Sequence, residues 1–112
     1  MGLFGNNSVR TNSQQKEDVL KPITLRFGAD SSLKRVEAII PEFQPEEFVV
    51  KEDYHELYMV KNNIEFTLTF IEDLGKTHLT ILAYSEKRTF KLKKNLKALM
   101  SFLREKLKDY IE

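Results

Sequence analysis

The chain has 112 residues, of which 41% are hydrophobic and 31% charged, with a formal net charge of +1 and no cysteine. That length gives room for one domain and one core, with little left over for a large ligand cavity. Without cysteine there are no disulfides, no thiolate catalysis and no thiolate metal sites. No apolar run approaches the ~20 residues that cross a bilayer, and the first residues lack the basic-then-apolar order of a secretory signal, so the expectation is a soluble, cytoplasmic protein.

Residues 1–21 are rich in Asn, Ser, Thr and Gln, with Leu3 and Phe4 at the tip. So little apolar surface predicts a disordered tail, which leaves residues 22–112 as the single domain. Residues 23–27, "ITLRF", alternate Ile23, Leu25 and Phe27 with Thr24 and Arg26 and read as a half-buried strand. "GADSS" interrupts it, and Asp30, Ser31 and Ser32 are all of the type that caps a helix start. A short helix follows on Leu33, Val36, Ile39 and Ile40 and stops before Pro41.

From Phe43 to Tyr84 the pattern is mostly of period two. "EFVVK" and "YHELYMV" predict two strands, and "KNN" a turn. "NIEFTLTFI" (63–71) is the clearest strand, with Ile64, Phe66, Leu68 and Phe70 on one face and Glu65, Thr67 and Thr69 on the other. "EDLGK" predicts a hairpin loop, and "THLTILAY" returns with Leu79, Ile81 and Ala83 inward. "SEKRTF" reads as a turn or a short edge strand. Residues 92–111 predict a long helix with Leu96, Leu99, Met100, Leu103, Leu107, Tyr110 and Ile111 as one stripe. The order β-α-β-β-β-β-α implies an α+β fold, a curved antiparallel sheet covered on one face by the C-terminal helix. By element order alone this is similar to helix-grip folds and to one repeat of a TATA-box-binding fold.

Charge is divided along the chain. Residues 29–75 carry four bases against eleven acids, a net of −7, and residues 85–112 carry nine bases against four acids, a net of +5. Such asymmetry marks either a partner surface or two segments that neutralise each other. Lys93, Lys97, Arg104 and Lys108 fall along one flank of the C-terminal helix stripe, where phosphates or an anionic surface would meet them; the alternative is a solvated helix face. Phe102 lies off the stripe and is expected to be an exposed contact or dimer residue. The polar face of the sheet is the other candidate surface. It would present Glu65, Thr67, Thr69, His78 and Thr80, joined by Tyr54, Glu56 and Tyr58 if their strand has the same phase.

No catalytic set emerges. Asp53 and His55 share one side of a strand but supply only two of the three or four ligands that a metal needs. No serine or lysine has a partnered base, and Gly28 and Gly75 are too far apart for a phosphate loop. The expectation is therefore a non-enzymatic protein-interaction module, an adaptor or subunit, with no cofactor and no metal. Its partner is another protein or a second copy. The alternatives are a nucleic-acid-binding domain on the basic helix, and a small hydrophobic-ligand or lipid binder with its cavity near Leu99, Leu103, Phe66 and Phe70. "MGLFGN" places Gly2 correctly for myristoylation but has Asn6 where Ser or Thr is needed. Leu3 and Phe4 beside no basic cluster make a weak membrane anchor, so stable membrane insertion is not expected. The tetrapeptide "GLFG" resembles one cohesive repeat of FG nucleoporins, which carry many copies where this chain has one.

Overall fold

Strict alternation organises the centre of the molecule. The computed structural model describes residues 6–112. In it Ile64, Phe66, Leu68 and Phe70 of β5 (Ile64–Asp73) are all buried. A strand with one apolar face must lay that face on a core. β6 (Lys76–Thr89) returns alongside with Leu79, Ile81 and Ala83 buried on the same side. Leu74 and Gly75 connect the two strands at φ 54° and 80°, a two-residue turn whose twist suits a hairpin. On the other flank Asn62 and Asn63, at φ 56° and 63°, make the equivalent turn into β4 (Glu56–Lys61). β3 (Glu47–Lys51) pairs with β4 as the outer strand.

Among the described residues the chain forms one α+β domain, with an unclosed six-stranded antiparallel sheet and two α-helices. The strand order is β1-β6-β5-β4-β3. β1 (Asn6–Arg10) and β2 (Ile23–Leu25) share the outer edge of β6. α1 (Ala29–Ile39) and α2 (Leu92–Lys106) close the inner face, α1 through Leu33 and Val36, α2 through Leu92, Leu96, Leu99, Met100 and Leu103. Each large side chain buried there contributes roughly 1.5–3 kcal/mol. The C-terminal helix is thus the main cover of the sheet, as its stripe predicts.

Four expectations are corrected. Residues 6–21 are part of the domain: β1 pairs with β6, Thr11 and Leu20 are buried, and Val9 and Val19 pack against the core. Few apolar residues suffice because the edge of β6 supplies backbone partners, such as Ile81 O for Thr11 N–H at 2.9 Å. Residues 1–5, including the Leu3–Phe4 tip, lie outside the described residues.

The second correction concerns the start of α1, which begins at Ala29 with its cap supplied from another strand. Glu72 Oε1 accepts the Ala29 N–H at 2.8 Å. A Cβ at Gly28 would stand 2.8 Å from that oxygen, so a side chain there would displace the capping carboxylate. Asp30 and Ser32 are engaged elsewhere: Asp30 accepts from His55 Nε2 at 2.8 Å, and Ser32 donates to the Phe27 carbonyl at 3.2 Å.

Third, "SEKRT" is no turn but the continuation of β6 to Thr89. Finally, α2 ends at Lys106, and Tyr110 and Ile111 leave the helix. Arg26 N–H bonds Tyr110 O at 3.0 Å and Glu112 N–H bonds Thr24 O at 2.9 Å, so the last residues cover the free edge of β2.

Candidate interaction surface

The basic flank of α2 is largely engaged within the molecule. Lys93 and Lys97 both pair with Glu17, Lys93 at 3.0 Å. The two ammonium groups hold the Glu17 carboxyl below its ordinary value, the hydrogen bond from Lys97 first and that from Lys93 next. Arg104 Nη2 donates to the carbonyls of Lys21 (2.7 Å) and Asp18 (3.1 Å). Burial draws the Arg104 guanidinium below its ordinary value, and Asp18 opposes that. These residues clamp the 17–21 segment onto the helix. Lys108 faces Glu105 at 3.6 Å on the surface. Phe102 is corrected from exposed to half-buried: its ring packs on Phe43 with centroids 5.1 Å apart. Of the acidic middle segment, among the described residues, only Glu42 pairs with this helix, through Lys106. The acid that neutralises the helix is Glu17.

The outer face of the sheet has no helix across it. Register places its side chains in transverse rows. One row runs Val49, Tyr58, Thr67, Leu82, Arg10, and a second Glu47, Val60, Glu65, Tyr84, Ser8. A third holds Lys51, Glu56, Thr69 and Thr80, and a fourth Ile71, His78 and Thr24. Tyr58, Thr67 and Thr69 are thus brought together as neighbours. Tyr54 is not, because residues 52–54 form a single 3₁₀ turn that lifts its exposed ring off the sheet. Val49, Ile71 and Tyr84 are 48%, 51% and 40% exposed in positions where alternation calls for polar residues. Tyr58 sits in a shallow hollow with Glu47, Val60, Glu65, Glu86 and Lys87. Partial burial first, and then the Glu65 carboxylate, hold its hydroxyl above the ordinary tyrosine value.

The histidines serve structure. His55, at φ 52°, bonds Asp30 rather than pairing with Asp53, and His78 Nδ1 lies 3.1 Å from Thr24 Oγ1. No cluster of three or more His, Asp or Glu with metal-binding geometry occurs among the described residues.

Several members of the outer face are not assigned to it by the sequence, among them Val49, Val60, Ile71 and Arg10. The run "FVV" hides the phase of Val49, Ile71 ends its strand, and Arg10 stands in a segment without apolar periodicity. Leu82 and Tyr84 are legible in the sequence, since both stand with His78 and Thr80 on the outward side of "THLTILAY". A scan against protein-family models finds no match, and searches of curated proteins and of solved structures find none.

Proposed function

We propose that the chain is a small non-enzymatic interaction module, an adaptor or subunit, that binds a protein through the outer face of its sheet. The observation that carries this reading is the chemistry of that face. An antiparallel sheet with one solvated side normally alternates apolar-in with polar-out. Here Val49, Tyr58 and Leu82 share one row of the outer side with Thr67, Val60 and Tyr84 flank Glu65 in the next, and Ile71 stands apart beyond the row of Thr69 and Thr80. Both signs of charge stand on the same face, Arg10 and Lys51 with Glu47, Glu56 and Glu65. Tyrosine-rich apolar centres with charged rims are characteristic of protein interfaces.

The nucleic-acid reading on α2 has less support, since Lys93, Lys97 and Arg104 already hold residues 17–21. The ligand-cavity reading also has less, since Phe66, Phe70, Leu99 and Leu103 belong to one contiguous core. No helix among the described residues is long and apolar enough to cross a membrane.

Sedimentation velocity over a concentration series is the test, with a photo-crosslinking residue at Leu82 as its second arm. The expected result is a dimer that Leu82→Arg converts to monomer with an unchanged circular dichroism spectrum. A wild-type monomer at every concentration, with no protein adduct from position 82 in its native cells, would refute the reading.

A further inference from the structure

A second surface lies at the junction of β6 and α2, adjoining the outer-face hollow at Lys87. Five cations, Lys87, Arg88, Lys91, Lys93 and Lys94, stand within eight residues, all exposed, with Phe90 in their midst. Phe90 is 73% exposed. Its exposure is imposed by rigid neighbours on both sides. Thr89 Oγ1 accepts the Lys91 N–H at 3.0 Å, and Leu92 is buried in the core. The ring therefore projects from the joint of a strand and a helix.

Lys87 and Arg88 are pushed outward by a bulge. Between the pairs Asn6–Thr89 and Ser8–Tyr84, two steps along β1 face five along β6. Asn7 Nδ2 pins the extra residues by donating to the Ser85 and Glu86 carbonyls, each at 3.1 Å. Bulges re-aim side chains in this manner. Among the described residues Lys87, Arg88, Lys91 and Lys94 take part in no ion pair, and only Lys93 has an acid, Glu17. Residues 1–5 contain no acid that would neutralise them.

We infer that this junction docks the protein on an anionic lipid bilayer, with Phe90 entering the interface and the lysines meeting the headgroups. An exposed aromatic flanked along the chain by exposed cations matches the two attractions that hold peripheral proteins on membranes: apolar burial in the interface and a negative surface potential. The projecting shape favours a bilayer over a nucleic acid, which would need a groove or platform for stacking. Four of the five cations are lysines, point charges suited to a diffuse anionic surface more than to bidentate phosphate recognition.

The experiment is co-sedimentation of the full chain with phosphatidylcholine vesicles, alone and in a two-to-one mixture with phosphatidylserine. Binding is expected only to the mixed vesicles, and less of it as salt rises. Lys91→Gln and Lys94→Gln are each expected to weaken it about fivefold, and together about thirtyfold. The chain has no tryptophan, so Phe90→Trp is a clean reporter, and its emission should shift to the blue on mixed vesicles. Binding that ignores the lysine substitutions, or a tryptophan emission that does not move, overturns the proposal. So does binding of a labelled single-stranded RNA with no binding to either vesicle.

Discussion

Thr11 shows how one residue joins an apparently polar segment to the core. Its side chain is buried, its N–H donates to Ile81 O at 2.9 Å, and its Oγ1 accepts the Ile81 N–H at 3.0 Å. Both backbone groups of a buried β6 residue are therefore satisfied by a single residue outside the regular strand. Thr11→Val keeps the shape and deletes the acceptor, leaving a buried N–H without a partner. The expected loss is about 1–3 kcal/mol in urea unfolding. Thr11→Ser, which keeps the acceptor, should lose less. Equal losses for the two would remove the hydroxyl from the account. Nothing in the sequence marks Thr11 out from Thr24 or Thr67, because its role depends on the edge of a strand seventy residues away.

At the scale of elements, α2 holds its cations partly by borrowing an acid. Glu17 receives both Lys93 and Lys97, and its carboxyl is held below its ordinary value. A carboxyl depressed in the folded state adds stability above its unfolded pKa, and that stability is lost as pH falls through the folded value. Glu17→Gln should therefore destabilise the protein at pH 7. The difference from wild type should fade on acidification below the ordinary carboxylate range. Chemical denaturation at neutral and acid pH measures this, and a difference that is the same at both would refute the linkage. The helix itself is legible from its leucine spacing, and so is the face it lays on the core. Its last turn is not, because Tyr110 and Ile111 fit the 3.6 period yet are taken by the free edge of β2.

For the molecule as a whole, residues 6–21 decide whether the domain is complete. They cover half of one edge of the sheet, bury Leu20 and Thr11, and anchor α2 through Glu17. Removing residues 1–21 is expected to lower the melting temperature steeply or to abolish cooperative unfolding. The loss of Leu20 alone is on the scale of a core truncation, about 2–5 kcal/mol. A deletion variant that melts like the full chain would restore the reading of a dispensable tail. The same segment alters the candidate surfaces. It occupies much of the basic flank of α2, and it adds Arg10 to the outer face of the sheet. It also sets Asn6 opposite Thr89, next to Arg88 and Phe90 in the chain.

The sequence by itself determined the periodicities, and with them the class of fold. Alternation over 63–71 and 77–84 decides which side of each strand is buried, and the leucine stripe of residues 92–107 decides what covers them, because burial of one face is the largest local preference a chain can express. It also determined where the charge lies along the chain. Only the tertiary structure decided which charges remain unpaired and which apolar residues remain exposed. Glu17 meets Lys93 and Lys97 across more than seventy residues, and Asn6 meets Thr89 across more than eighty. Short polar strands such as "NNSVR" carry almost no periodic signal of their own. They are ordered by the unpaired backbone of a partner strand, and that partner exists only once the chain has folded.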